Sequence, residues 1–224
     1  MPRNEAASLR VSIAGASGLV GQSLTRLLSA DTKVSEVHLL LRRDMPQLLS
    51  LPKVKRLTDL PGQALPPLDM ALCALGTTIK AAGSQAAFRA VDHDAVLAFA
   101  EAARRAGATV FGLVSALGAD PNSAVFYNRI KGGIERAVGA LGFDSVVVAR
   151  PSLLLGDRAA LGQPTRLGER IGQQLAPVLS ALMPRRLRPI KVDAVAQGML
   201  VALRQARSGL RVVESDELLS LSQG

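Results

Sequence analysis

The sequence predicts an α/β protein built on a doubly wound, mostly parallel sheet with helices on both faces. Three observations predict it. A short apolar run, Leu9 to Ala14, meets glycines at Gly15, Gly18 and Gly21, and an apolar pattern then resumes at helical spacing through Val20, Leu24, Leu27 and Leu28. Strand-like runs alternate with helical periodicity as far as residue 150. The composition, 48% hydrophobic and 20% charged, is rich in the Ala, Leu and Val of helices covering a buried parallel sheet.

After the first strand and helix, Val37 to Leu41 reads as a second buried strand, followed by Arg42 and Arg43. Val54 to Leu57 is a short third strand ending at Thr58-Asp59-Leu60. A connection through Pro61, Pro66 and Pro67 leads into a fourth, Met70 to Leu75, which stops at Gly76-Thr77-Thr78. Helical periodicity covers about Gln85 to Arg105 through Phe88, Val91, Val96, Phe99, Ala102 and Ala103, and Gly107 is a C-terminal stop. Thr109 to Ser115 is a fifth strand, residues 123–141 a helix, and Ser145 to Arg150 a sixth strand. After Pro151 the alternation loosens. Residues 156–190, rich in Gly, Pro and Arg, read as loops and short helices; Val192 to Arg204 is amphipathic, and Leu210 to Glu214 adds a late strand. Ligands of such sheets bind beyond the carboxyl ends of the strands. The expectation is one domain over 1–224, with a core of about 9–155 and a small C-terminal substrate lobe, 156–224, serving as a lid. Leu175, Val178, Leu179 and Leu182 read as a packing stripe of that lid.

The composition also excludes function classes. There is no tryptophan, and the single tyrosine and five phenylalanines are scattered, which argues against a surface that stacks nucleic-acid bases. The net charge of +9 includes a basic stretch (Arg158, Arg166, Arg170, Arg185, Arg186, Arg188, Lys191) set against Asp157 and Glu169. It reads as a solvated rim around a site for anionic ligands. Lone Cys73 excludes a disulfide framework and is expected to be a small buried residue. His38 and His93, without a cysteine at ligand spacing, give no metal site. No apolar run reaches membrane-spanning length, and Met1 to Glu5 lack the apolar core of a secretory signal. The expectation is a cytoplasmic protein without membrane or nucleic-acid partners; homodimer formation is left open, no interface being legible.

The three glycines have separate duties in a strand–turn–helix that binds a dinucleotide. Gly15 permits the tight turn, Gly18 lets the backbone approach the pyrophosphate, and Gly21 allows close packing of helix on sheet. The phosphates would rest on unpaired N–H groups at the positive end of the helix. A second constellation lies at predicted strand ends: Ser115 closes the fifth strand, Tyr127 follows twelve residues later, and Lys131 four after that. The i, i+4 spacing puts phenol and ammonium on one helix face. A phenol ordinarily titrates at about 10, and an adjacent ammonium favours the phenolate. Tyr127 is then a candidate general acid/base, with Ser115 hydrogen-bonding the substrate oxygen and Lys131 also reaching the cofactor ribose.

These residues resemble the short-chain dehydrogenase/reductase superfamily, which implies an NAD(P)-binding Rossmann fold. Gly15-Ala-Ser-Gly18-Leu-Val-Gly21 is similar to its extended or atypical cofactor motif, and Ser115, Tyr127 and Lys131 to its catalytic trio. Finer features, Ala74 to Thr78, Val114 to Asp120 and Tyr127 to Gly132, resemble the oxidoreductase family related to the Tat-interacting tumour-suppressor protein, a branch that binds NADPH. The resemblance implies that Ser17, Gly18, Leu19 and Val20 wrap the pyrophosphate and Asp59 and Leu60 flank the adenine. Gly76, Thr77 and Thr78 would line ribose and nicotinamide, and Pro151, Ser152 and Leu153 would cover the carboxamide. One departure stands out: Asp92 occupies the place where many members carry asparagine.

Cofactor choice follows from charge. An acidic residue after the second strand favours the ribose 2′-hydroxyl of NAD, whereas arginine suits the 2′-phosphate of NADP. Arg42-Arg43 stands there, one step before Asp44, which favours NADP(H) over NAD(H). The sequence thus points to an NADP(H)-dependent oxidoreductase acting on a small carbonyl or alcohol. Two other readings fit the same residues: a sugar-nucleotide epimerase or dehydratase, and a non-enzymatic NADPH-binding regulator.

Overall fold

The computed structural model describes residues 8–58, 64–156, 183–205 and 207–224. The proposed adenine contacts Asp59 and Leu60, the stripe from Leu175 to Leu182, and Arg158, Arg166 and Arg170 of the basic stretch lie outside these residues. Seven parallel strands form the central sheet: β1 (Leu9–Ala14), β2 (Val34–Leu41), β3 (Val54–Thr58), β4 (Met70–Cys73), β5 (Val110–Val114), β6 (Ser145–Arg150) and a late strand, Gly209–Glu214. Their order is β3-β2-β1-β4-β5-β6 followed by the late strand, so the direction of winding reverses between β1 and β4. That reversal opens the crevice in which such sheets bind ligands.

Alternation along each strand sends neighbouring residues to opposite faces. Met70, Leu72, Val147 and Ala149 enter one apolar cluster together with Leu24 and Leu28 of α1 (Leu19–Ala30). Ala71, Cys73, Val146 and Val148 enter the other, with Val96, Phe99 and Ala103 of the helix Val96–Arg105 and Ile134 and Val138 of the helix Phe126–Gly139. The segment read as one helix over 85–105 has an interruption. Gln85–Arg89 is α-helical, Ala90–Ala95 forms a π-turn, and Val96–Arg105 resumes the α-helix.

Residues 157–182 of the expected lid lie outside the described residues; the segments described after them pack on the sheet. The helix Val192–Gln205 buries Val195, Ala196, Met199 and Leu203 in the first cluster. The late strand pairs with β6 from Ser145↔Gly209 to Arg150↔Glu214, and the helix Ser215–Leu221 seals it with Leu218. Residues 192–205 and 209–221 are therefore part of the structural core, because an amphipathic helix and a strand complementary to β6 bury more apolar surface on the sheet than above it. Backbone contact there is close: a Cβ on Gly198 would lie 2.2 Å from the carbonyl oxygen of Leu218. Gly198→Ala is expected to cost about 1–3 kcal/mol of stability, the usual range for overpacking, measured by urea unfolding; an unchanged midpoint would show that this packing yields freely.

Candidate cofactor and catalytic site

The turn from β1 into α1 is shaped by two glycines that the fold itself requires. Gly15 has φ +82°, and a Cβ there would stand 2.4 Å from the backbone carbon of Ala74, beyond β4. A Cβ on Gly21 would stand 2.2 Å from the Gly15 carbonyl oxygen. Gly18 differs. Its backbone is extended (φ −80°, ψ 166°), and a Cβ would meet only the Gly15 carbonyl oxygen, at 3.4 Å. Among the described residues nothing forbids a side chain there, so its absence keeps open the space in front of α1. Among the described residues no side chain caps that helix, and no acidic residue lies in its first turn. The N–H groups of Leu19, Val20 and Gly21 thus have no intrahelical acceptor, and exposed Ser17 flanks them. An uncapped, uncrowded helix N-terminus fits a pyrophosphate.

The other proposed cofactor residues line the carboxyl edge of the sheet. Arg42 and Arg43 are exposed directly after β2. Gly76, exposed beyond β4, touches on the catalytic candidates: a Cβ there would stand 3.7 Å from Nζ of Lys131 and 3.5 Å from Oδ1 of Asp92. The Thr77 N–H donates to Oδ2 of Asp92 at 2.8 Å, while the Thr78 hydroxyl accepts from the Ala81 N–H at 3.0 Å. Beyond β6, Pro151 is buried and its carbonyl accepts from the Leu117 N–H at 3.0 Å. The Ser152 hydroxyl donates to the Arg188 carbonyl and accepts from the Ser215 hydroxyl at 3.0 Å, so its side chain is spent on the protein. Leu153 is the exposed member of that trio.

The helix Phe126–Gly139 carries Tyr127, Lys131 and Glu135 at successive i, i+4 positions. Tyr127 is half-buried, its ring tilted against Phe88 with centroids 5.4 Å apart. Among the described residues nothing hydrogen-bonds its hydroxyl. The Lys131 ammonium is buried and lies 2.7 Å from Oδ1 of Asp92, which is 0% exposed at the centre of the π-turn. Asp92 is therefore more than a substituted helix residue: it binds the lysine and the Thr77 backbone together. A buried carboxylate without these partners would be strongly unfavourable.

Ser115 lies at the end of β5, 7% exposed, and its hydroxyl donates to Glu135. Glu135 is held in turn by Arg150, with Nη2 2.5 Å and Nε 3.1–3.2 Å from its oxygens, and Arg150 continues to Glu214 at 3.3 Å. The hydrogen-bonded Glu135 carboxylate beside it draws the Arg150 pKa upward. A carboxylate paired with arginine is acceptor-only, so the serine proton is committed to it. In this structure the Ser115 hydroxyl is directed at Glu135, where the sequence reading has it hydrogen-bond the substrate oxygen. Glu135 was legible as the third member of the Tyr127–Lys131 face; Arg150 and Glu214 carried no local signal.

Beneath the site Cys73 is fully buried, and burial pushes its thiol from 9.0 up to about 12. The folded thiol stays neutral where the unfolded one ionises. Its contribution to stability is therefore complete below pH 9.0 and is lost as pH rises towards 12. Native protein at pH 8 is expected to resist a thiol reagent that reacts at once in denaturant; rapid native labelling would contradict the burial. Arg150→Met, which leaves Glu135 buried without its cation, is expected to cost about 3 kcal/mol or more in urea unfolding.

Comparison with known proteins gives the same architecture a lineage. The model of the semialdehyde dehydrogenase NAD-binding domain family matches residues 10–151. Protein FMP52, mitochondrial, of Eremothecium gossypii is 34% identical over 221 residues, covering 93% of this chain and 95% of the relative. Among solved structures, the ADP-L-glycero-D-manno-heptose-6-epimerase of Helicobacter pylori superimposes with a TM-score of 0.68 at 16% identity, over 99% of this chain and 84% of that one. The human epimerase family protein SDR39U1 with NADPH gives 0.62 at 19%, over 92% and 73%. The fungal relatives are named mitochondrial, which overturns the cytoplasmic expectation. That expectation rested on the missing apolar core of a secretory signal, a feature mitochondrial transit peptides do not have either. With matches over most of its length, the chain belongs to the FMP52 family and carries the NAD-binding domain of the semialdehyde dehydrogenase family.

Proposed function

We propose that the protein is an NADP(H)-dependent oxidoreductase of the short-chain dehydrogenase/reductase type, acting on a small carbonyl or alcohol with Tyr127 as acid/base. The observation that carries the reading is the convergence at Gly76. The same strand end is pressed by the Gly15 turn through Ala74 and Leu75 and faces the Lys131–Asp92 pair, so the phosphate cradle and the Tyr127 helix address one crevice. In this reading Gly15, Ser17, Gly18, Leu19, Val20 and Gly21 hold the pyrophosphate, and Arg42 and Arg43 face the 2′-phosphate. Gly76, Thr77, Thr78 and Lys131 line the ribose and nicotinamide, with Pro151, Ser152 and Leu153 beyond them. The similarity of residues 74–78, 114–120 and 127–132 to the NADPH-binding branch related to the Tat-interacting tumour-suppressor protein supports the same cofactor.

When bound, the nicotinamide supplies or accepts the hydride. Tyr127 gives its hydroxyl proton to the oxygen of a carbonyl being reduced, or takes the proton of an alcohol being oxidised. Lys131, fixed by Asp92, places positive charge beside the phenol and the ribose. Ser115, its own proton turned towards Glu135, accepts a hydrogen bond from the substrate hydroxyl or from Tyr127. An epimerase would use the same residues, and the epimerase neighbours share the fold alone.

Titration of the purified protein with NADPH and with NADH, followed by nucleotide fluorescence, tests the cofactor; binding of neither would sink the reading. Tyr127→Phe is expected to retain NADPH binding and to lose roughly 10²–10⁴-fold in turnover of carbonyl substrates, the usual contribution of a general acid/base. Undiminished turnover would remove Tyr127 from the chemistry, and a regulator would keep its partner response in that variant.

A further inference from the structure

The turn after β2 carries both signs of charge where a ribose would be read, and the structure separates them. Arg42 and Arg43 are exposed, and among the described residues neither enters an ion pair. Asp44, the residue that would repel a 2′-phosphate, is occupied: its Oδ1 lies 2.8 Å from Nη1 of Arg56 on β3. Nη2 of the same guanidinium stands 3.5 Å from the carbonyl oxygen of Leu41, the last residue of β2. Arg56 therefore spans the turn from its first carbonyl to its carboxylate, with Arg42 and Arg43 between. Parallel pairing fixes its origin, setting Arg56 opposite Leu39 and Thr58 opposite Leu41. The neighbouring charges are engaged elsewhere, since Lys55 and His38 both contact Glu36, at 2.5 and 2.9 Å.

We propose that Arg56 is a specificity-determining residue for the nucleotide: by neutralising Asp44 it lets Arg42 and Arg43 select a ribose bearing a 2′-phosphate. The inference rests on the NADP(H) reading above. Its basis is Coulombic. Without Arg56 the bare carboxylate of Asp44 would face a phosphate carrying up to two negative charges, and repulsion at that range falls only on the phosphorylated ribose. A 2′-hydroxyl, by contrast, can donate to a free carboxylate. Arg56 acts through Asp44, because its two nitrogens are already directed at the turn.

The test is a set of dissociation constants for NADPH and NADH, by nucleotide fluorescence, for wild type, Arg56→Met, Asp44→Asn and the double variant. The side chains of Arg56 and Asp44 are 35% and 63% exposed. Such a pair contributes little to stability, so Arg56→Met is expected to melt close to wild type; Arg56→Gln serves as a second charge-removing variant should it not. Arg56→Met is expected to weaken NADPH binding roughly tenfold while leaving NADH unchanged or tighter, and Asp44→Asn in that background is expected to restore NADPH. An unchanged NADPH/NADH ratio, equal weakening of both nucleotides, or failure of Asp44→Asn to restore NADPH would each overturn the role of Arg56. A wild type without NADPH preference would overturn the NADP(H) reading and this inference with it, an outcome visible before any variant is compared.

Discussion

Backbone presses on backbone where β1 ends. Gly15 lies against Ala74 and Leu75, and Gly21 lies on Gly15, at separations that leave no room for a Cβ. This contact sets the height of α1 over the sheet and the distance between the first strand and β4, the two neighbours across which the winding reverses. The rest of the site inherits that placement. Only with β4 drawn to the turn does Gly76 come beside Lys131, and only with α1 this low do its first N–H groups open onto the same crevice. The Arg10 guanidinium performs a matching task at the other end of the strands, gripping Asp69 at 3.0 Å and holding its carboxyl below the usual range.

Two ionic clusters then fix the helix that carries Tyr127. Lys131 is drawn to the π-turn by Asp92, and Glu135 is drawn to β6 by Arg150. The helix is thus held on both sides of its buried face, while Tyr127, one turn before Lys131, has no polar partner of its own among the described residues. A phenol kept rigid by Phe88 and left without a hydrogen bond is available to a ligand. The buried charges give orientation more than stability, since isolated pairs in a core contribute little net free energy once desolvation is counted.

Much of this was legible in the residues. The strands at 9–14 and 145–150 stand in the sequence with their observed bounds, because each is a short strand-forming run closed by glycine or proline. The apolar pattern carries the fourth strand two residues too far: Ala74 and Leu75 are apolar, but there the chain leaves the ladder to lie against Gly15. The π-turn left no trace in periodicity, which it shifts by a single residue. The helix at 192–205 is legible from its amphipathic pattern but its place on the sheet is not, since the order in which late strands join a sheet is a property of pairing at long range. For the same reason the chain from Ser115 through Glu135 and Arg150 to Glu214, which spans one hundred residues, lay beyond local pattern.

The π-turn also makes the site sensitive to the length of the helix that carries Asp92. Such a turn is a helix with one residue inserted, tolerated because a group inside it has a use that outweighs poorer hydrogen bonding. Each residue of an α-helix turns the next by about 100°. Loss of one residue between Ala90 and Ala95 would restore a regular helix from Gln85 to Arg105 while rotating the preceding segment by that angle against the sheet. Asp92 and Phe88 would then no longer face Lys131 and Tyr127 together. Loss or gain of a single residue in this helix would therefore separate Asp92 from Lys131, whichever residues its outward face carries.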